Sequence, residues 1–420
     1  MVPKGWLAKE LDEICEKVAV GLAISVTPFM RDSGVKLIRN QNIKRNYFDS
    51  SSVAFIDEDF AKSNKSKMVQ RGDVVAVRTG SNIGEACVVP QEFEGALTFT
   101  TLIARPNKDV LDSFYLATHI NSDIGINEVN RLCAGGGKPN LNSGELKHYK
   151  ISTPPLAEQK KIAQILSTWD QAIATTERLL DLAYQQKKAL MQQLLTGKKR
   201  FDKANDQACC KHTRYGLIPE DWAYPAIREI CKQVVIKNTN QEEYPVLSCS
   251  KYDGFVDSLK YFNKKVYSDD TSGYRVIPRN CFGFPSNHIE EGSIGLQNLY
   301  DYGIVSPIYE VFRANENMVN NQYLIALLKT EHYRQIFAAA TNASVDRRGS
   351  LRWKEFASIH VPLPPLEEQN KIAAILNTTN QEIETLQSQL DGLKQEKKAL
   401  MQQLLTGKRR VQCALDEAEA

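Results

Sequence analysis

Twelve residues, Lys187-Lys188-Ala189-Leu190-Met191-Gln192-Gln193-Leu194-Leu195-Thr196-Gly197-Lys198, recur without change as residues 397–408, at an offset of 210 in a chain of 420. Pro154-Pro155-Leu156-Ala157-Glu158-Gln159 recurs at the same offset as Pro364-Pro365-Leu366-Glu367-Glu368-Gln369. Over 154–198 against 364–408, 29 of 45 positions are identical and no gap is needed. A fainter echo lies upstream, where Pro3, Trp6 and Glu13-Ile14-Cys15 answer Pro219, Trp222 and Glu229-Ile230-Cys231 at an offset of 216. The half-chain has been duplicated, so any fold proposed for one half must also serve the other. The stretches 1–153 and 201–363 have diverged almost beyond alignment, while the segments that follow them have stayed alike. Conserved connectors imply a shared partner or mutual pairing, and divergent globular parts imply two different targets.

Each repeated segment reads as one long helix. A double proline opens it, where a missing N–H costs nothing, acidic residues fill the first turn, and Gly197 or Gly407 follows a lysine-rich end. In the second copy Ile372, Leu376, Thr379, Ile383, Leu386, Leu390, Leu393, Lys397, Leu400 and Leu404 keep a 4-3-4-3 spacing, the seam of a coiled coil. The first copy places Ile162, Leu166, Trp169, Ile173, Thr176, Leu180, Ala183, Lys187, Leu190 and Leu194 at the same positions. Some 40 residues at about 1.5 Å each make a rod of roughly 60 Å. Two equal rods joined through a whole domain can pair antiparallel, with a globular part at each end. The alternative is that each helix packs only on its own globular part. Globular helices average roughly 11–12 residues and seldom hold a heptad register this long, which favours pairing.

The expected fold is therefore α+β: two mixed α/β globular domains separated by two long antiparallel coiled-coil helices, a pseudo-twofold tandem repeat. Its parts are a first head at 1–153, a helix at 154–200, a second head at 201–363, a helix at 364–410 and a tail at 411–420. Composition agrees, since 42% apolar and 25% charged residues can supply real cores. No run of 18 apolar residues is present to span a bilayer, and Met1-Val2-Pro3-Lys4-Gly5-Trp6 lacks a signal peptide's apolar core, so a cytoplasmic protein is expected. Nine scattered cysteines, with no C-x-x-C pair and no histidine at zinc spacing, read as small buried apolar residues in a reducing cell, with no metal site.

Net charge is only +3, whereas many DNA-binding domains have a pI above about 9. The first head carries 19 basic against 18 acidic residues and the second 19 against 19, so any nucleic-acid face must be a local patch. Between Val35 and Phe48 the first head offers Lys36, Arg39, Lys44 and Arg45 among Asn40, Gln41, Asn42, Asn46 and Tyr47, with no acid. That mixture supplies phosphate contacts together with amide and guanidinium groups able to read base edges; a solvated loop is the plainer reading. Farther on, Gly72–Arg78 and Ala86–Pro90 flank the turn Thr79-Gly80-Ser81-Asn82 as strand, turn and strand. In the second head, Arg347, Arg348 and Arg352 surround Gly349 and Ser350, a credible phosphate or guanine contact or else a screened surface cluster.

Catalytic motifs are missing. The chain has no Asn/Asp-Pro-Pro-aromatic motif for amino-methyl transfer, no glycine-rich loop for S-adenosylmethionine, no G-x-x-x-x-G-K-S/T and no H-E-x-x-H. Gly135-Gly136-Gly137-Lys138-Pro139-Asn140 lacks the spacing of a nucleotide loop, and Thr196-Gly197-Lys198 closes a helix instead of opening one. A binding protein is expected, not an enzyme.

The doubled P-P-L-x-E-Q-x-K-I-A-x-I-L opening and K-K-A-L-M-Q-Q-L-L-T-G-K ending, which frame the full chain, resemble the conserved regions of type I restriction-modification specificity subunits. The resemblance implies two target-recognition domains, each reading half of a bipartite, asymmetric double-stranded DNA site. It implies helices that set the spacer and bind two modification subunits, which carry S-adenosylmethionine. Two restriction subunits using ATP and Mg would join them, and this chain would hold no cofactor. By position it makes Arg78, Thr79, Ser81, Asn82, Lys138 and Asn140 DNA-facing in the first head. In the second it points to Ser248, Lys251, Ser286, Asn287, His288, Arg347, Arg348, Ser350 and Arg352. The partner surface it implies is the heptad seam, Ile162, Leu166, Trp169, Ile173, Leu180, Leu190 and Leu194 with Ile372, Leu376, Ile383, Leu386, Leu390, Leu400 and Leu404. The competing reading, favoured by the neutral heads, is a coiled-coil scaffold whose heads bind proteins.

Overall fold

Pro154-Pro155 and Pro364-Pro365 do what their chemistry allows: each pair stands just before a helix, where no N–H is required. The helices run Leu156–Leu194 and Leu366–Leu405 in a computed structural model that describes residues 3–133, 140–201, 210–214, 216–342 and 349–412. Both end alike. Gly197 has φ +70° and Gly407 φ +67°, and the amides of Lys199 and Arg409 donate back to the carbonyls of Gln193 and Gln403 at 3.1 Å. A Cβ on Gly197 would stand 2.3 Å from Cγ of Pro219, and one on Gly407 would stand 2.4 Å from Cγ of Pro3. Glycine is needed there twice over, for the left-handed backbone and for the close approach of a head.

The chain divides into two compact units, Met1–Arg178 with Ser388–Ala420 and Leu179–Gln387, so each unit holds one head and part of both long helices. Inside the first unit the helices lie antiparallel, with Lys397 paired to Asp170 and Lys394 to Glu177 at 2.7 Å. Inside the second they are antiparallel again, with Arg200, just past the end of one, bound to Glu368 at the start of the other. The heptad residues make the seam and the core together. Ile162, Leu166 and Leu404 join Trp6, Tyr115 and Tyr149 in the first core, and Leu194, Ile372 and Leu376 join Ile227, Tyr323 and Phe312 in the second. Each fully buried leucine or isoleucine contributes about 1.5–3 kcal/mol. The helices thus pair with each other and with the heads at once, since a seam residue is covered by both.

Both heads are built on one frame. In the first, Cys15–Val20, Thr101–Pro106, Val74–Val77 and Ala86–Val88 form an antiparallel four-stranded sheet in that order. Cys231–Gln233, Tyr309–Ala314, Cys281–Pro285 and Gly295–Gln297 repeat the order in the second. Helix Ser113–Ile120 is answered by Asn321–Leu328, and Asp123–Cys133 by Glu331–Asn342. Val74 to Val77 is buried throughout, with Val74 and Ala76 in one apolar cluster and Val75 and Val77 in another, the twofold alternation of a strand covered on both faces. The heads part company between the shared strands. The first inserts a four-stranded sheet, Leu97–Thr98, Val35–Ile38, Ala54–Ile56 and Met30–Arg31; the second inserts two ribbons, Leu247–Ser250 with Gly254–Asp257 and Arg275–Pro278 with Tyr302–Val305. Among the described residues no helix is long and apolar enough to cross a membrane.

Cys87, Cys231 and Cys281 are buried as expected, and burial pushes the thiols of Cys87 and Cys231 up to about 12. Cys210 differs: it is exposed on the ribbon Cys210–Thr213 with Gly216–Pro219.

Candidate nucleic-acid interface

One backbone junction occurs in both heads. Strand Val74–Val77 runs out at Arg78, whose carbonyl accepts from the amide of Leu141 at 3.1 Å. In the second head Cys281–Pro285 runs out at Ser286, whose carbonyl accepts from the amide of Leu351 at 2.8 Å. The junction binds a sheet-end loop to a segment some sixty residues away, and it gathers polar residues that the sequence keeps apart. In the first head Arg78 Nε donates to Asn140 Oδ1 at 3.2 Å, and Thr79, Ser81 and Asn82 are exposed beside it, with Ser81 Oγ 3.1 Å from Asn82 Oδ1. In the second, the bond from Leu351 to Ser286 sets the chain of Ser350 and the exposed Arg352 beside the loop that Ser286, Asn287 and His288 begin. Lys138, Arg347 and Arg348 lie outside the described residues.

The basic run of the first head does not act as one patch. Lys44 and Arg45 are exposed and lie beside the hairpin: the Asn46 amide donates to the Ala86 carbonyl at 3.0 Å, and Arg45 Nε donates to Glu85 Oε1 at 3.2 Å. Lys36 is committed within its own head, where its ammonium donates to the Glu92 carbonyl at 2.6 Å and sits 4.7 Å over the Phe93 ring. Both partners reach it through the fold of the first head, its strand Val35–Ile38 lying far in sequence from Glu92 and Phe93. Arg39 Nε and Asn40 Oδ1 are shielded from solvent without a hydrogen bond among the described residues, and Arg39 Nη2 reaches only Ser52 Oγ, at 3.4 Å.

In the second head Ser248 is likewise spent internally, its hydroxyl 2.8 Å from that of Ser258. Lys251 is exposed at the tip of its ribbon, which comes beside the other loop: a Cβ on Gly292 would stand 3.8 Å from Cγ of Lys251. His288 Nδ1 lies 3.0 Å from Glu291 Oε1, and Asn287 Oδ1 and Glu290 Oε2 are shielded without a hydrogen-bond partner among the described residues. Donor atoms of His288, Glu290 and Glu291 fall within 4.8 Å of one another, yet His288 and Glu291 are exposed and already paired, which is ordinary surface chemistry. In each head, then, the chemistry on offer is hydrogen bonding and positive charge on a loop rim, suited to reading polar edges and phosphates.

The repeated motif itself turns out to carry residues that spacing alone did not single out. Gln159 is fully buried; its amide donates to the carbonyls of Val110 and Pro154 at 2.8 Å, and its Oε1 accepts from the amide of Asp112 at 2.9 Å. Gln369 repeats this with the carbonyls of Met318 and Pro364 and the amide of Asn320. Beside it, Glu158 accepts Arg410 in a two-pronged contact at 2.8 Å and the indole N–H of Trp6 at 3.1 Å. Glu368 accepts Arg200 at 2.5 and 2.7 Å and the indole N–H of Trp222 at 3.3 Å. Each guanidinium also covers its tryptophan, at 5.8 Å for Arg410 and 5.5 Å for Arg200. The shared E-Q and the faint tryptophan echo were the signals for this latch.

One expectation needs correcting. Of the seam expected to take partners, Ile162, Leu166, Leu180, Leu194, Ile372, Leu376, Ile383, Leu390 and Leu404 are buried by the chain itself, and Trp169, Ile173, Leu190, Leu386 and Leu400 are half-buried. A side chain already removed from water has little apolar area left to give a partner. The long helices expose other apolar residues instead, Leu179, Leu182 and Tyr184, each about half accessible.

Comparison with known proteins gives a consistent result. Residues 3–183 and 219–395 match the family model described as the type I restriction modification DNA specificity domain. A putative type I restriction enzyme MjaX specificity subunit from Methanocaldococcus jannaschii is 26% identical over 445 residues, covering 98% of this chain and 95% of the relative. The type I restriction enzyme MjaVIII specificity subunit of the same organism is 26% identical over 388 residues, covering 87% of each. The crystal structure of a type I restriction-modification system S subunit from M. genitalium superposes with a TM-score of 0.57 at 14% identity, over 96% of this chain and 99% of that one, a likeness of fold.

Proposed function

The chain belongs to the type I restriction-modification DNA specificity family, and on that premise we propose that its two heads each read one half of a split, asymmetric duplex target. Residues 1–153 form the first reading head and 201–363 the second, while 154–200 and 364–410 carry two modification subunits on their exposed faces. The methyl donor, S-adenosylmethionine, belongs to those subunits, and ATP with Mg to two restriction subunits that complete the assembly in the cytoplasm. This chain is a DNA-specificity component without a catalytic step of its own.

The observation that carries the reading is the junction at Arg78 and Ser286. The same strand end, held by the same backbone hydrogen bond, presents different side chains in the two heads: Arg78, Ser81, Asn82 and Asn140 in one, Ser286, Asn287, His288 and Arg352 in the other. A constant frame with variable polar tips is what reading two unlike sequences requires, because phosphate contacts position a protein and base-edge contacts specify. Lys44, Arg45 and Lys251, all exposed, serve the phosphate backbone in this reading.

The test is to assemble the chain with its modification subunit and map methylated adenines. In an Arg78→Ala, Asn82→Ala variant, discrimination at one half-site should fall about tenfold to a hundredfold, at about 1–3 kcal/mol per base contact, with the other half-site unaffected. An unchanged methylation map would remove these residues from the interface. The scaffold alternative draws on heads that are nearly neutral overall. Binding of duplex DNA that weakens steeply with salt would exclude it, since phosphate contacts release counterions.

A further inference from the structure

Identical lysines of the repeated twelve residues meet different surroundings in the two units. In the first, Lys397 pairs with Asp170, Lys398 Nζ lies 3.3 Å from Asp123, and nearby Lys394 pairs with Glu177. Every one of these acids has lost its function or its charge in the second unit. The position answering Asp170 is Asn380 and that answering Glu177 is Gln387. Asp123 is answered by Glu331, which is held by Arg334 at 2.5 Å. Among the described residues, no carboxylate lies within ion-pair distance of Lys187 or Lys188; Glu384 attracts Lys187 only from farther away.

The second unit has a cleft at this place. It measures about 500 Å³ and is lined by Tyr184, Lys187, Lys188, Leu217, Lys329 and one carboxylate, that of Glu331, among others. Burial lowers the pKa of both Lys187 and Lys329; among the described residues neither has an ion-pair partner, although Glu384 and Asp253 attract them from farther away and the Lys329 ammonium donates to the Lys251 carbonyl at 3.3 Å. Around them the wall is apolar and open: Tyr184 is 52% exposed and Leu217 55%. Tyr184 answers Lys394 of the salt-bridged copy, so the same helix position has exchanged a charge for an aromatic ring. Solvation favours covering such a surface, and charge complementarity says with what.

We propose that this cleft docks an acidic segment of a partner chain, whose carboxylates pair with Lys187 and Lys188 and whose apolar edge covers Tyr184 and Leu217. The carboxylates at the matching lysines of the first unit are protein side chains, one at a helix start and one in a long helix, which identifies a protein segment as the occupant. The inference rests on the reading of the long helices as a docking surface for modification subunits, and it sharpens that reading: the two docking places on one chain are unequal. One takes its partner by charge and burial together, while the other has satisfied its own lysines.

The experiment uses the full chain and the purified modification subunit, with uptake followed by calorimetry and sedimentation. The wild-type chain should take up two copies in separable steps, one of them weakened by salt. Lys187→Glu with Lys188→Glu should weaken that step about tenfold or more and leave the other within about twofold. Leu217→Asp, on an exposed ribbon position, should act on the same step without touching the lysines. Two steps unaltered by both variants, or weakened equally, would overturn the proposal and leave the docking reading standing. No uptake by the wild-type chain would overturn the docking reading and this proposal with it.

Discussion

His119 is a buried imidazole whose ring has one hydrogen-bond partner among the described residues, the Tyr149 hydroxyl at 2.8 Å from Nδ1. Burial pushes it down from an ordinary 6.5 to about 4, against a small opposing pull from Glu128. A histidine whose folded pKa is depressed stays neutral while the unfolded chain takes up a proton. Stability is therefore complete above about 6.5, is lost as pH falls from there to about 4, and changes no further below that. The loss across this window is about 3 kcal/mol at most. Denaturant midpoints of the first unit should show it between pH 6.5 and 4, and a His119→Gln variant should flatten that limb. An identical limb in the variant would assign the acid sensitivity elsewhere. Nothing in the sequence marked this residue, because its neighbour Tyr149 is thirty positions away and the helix Ser113–Ile120 is apolar on most sides. The turn from Thr79 to Asn82 was legible from turn chemistry, whereas the internal contacts of Lys36 and Ser248 were not. Their partners Glu92, Phe93 and Ser258 become neighbours only through strand pairing.

At the scale of elements, the end of each long helix is a fitted joint. Gly407 closes the second helix, Pro3 and Trp6 lie over it, and Arg410 reaches from beyond it to Glu158 at the start of the first. A Gly407→Ala substitution meets both a left-handed backbone and a Cβ 2.4 Å from Pro3, a combination costing about 2–3 kcal/mol. It should lower the denaturant midpoint of the first unit and leave the second in place; Gly197→Ala should do the converse. Equal effects of either variant on both units would show that the joints are not local. The helices were readable because heptad spacing, proline starts and glycine stops are local signals. The sheets were readable only in part. The hairpin of Val74–Val77 with Ala86–Val88 shows in its turn, but the pairing of Cys15–Val20 with Thr101–Pro106 joins strands some eighty residues apart, and no short pattern encodes that.

For the molecule as a whole, duplication explains why one rule builds both halves, and each compact unit completes its packing with helix taken from both of them. If the long helices set the distance between half-sites, as the family resemblance implies, then four residues inserted near Gln185 or near Gln395 add about 6 Å of helix. The methylated target should keep both half-sites and gain spacer length, read by sequencing modified DNA. A variant that methylates the original spacing equally well would end the idea of a ruler. Sequence alone already indicated the tandem plan, since it is written in exact repetition. What it could not indicate was which lysines the acids of one copy meet: Asp170 and Glu177 pair with Lys397 and Lys394, while Asn380 and Gln387 stand at the matching places of the other copy.

Gln159 and Gln369 hold their heads by main-chain atoms alone: every partner of these side chains is a carbonyl or an amide of the backbone. A grip of that kind is blind to the side chains of what it grips. A head of quite different sequence can be seated by the same glutamine, so long as it keeps the tryptophan that Glu158 or Glu368 holds beside it.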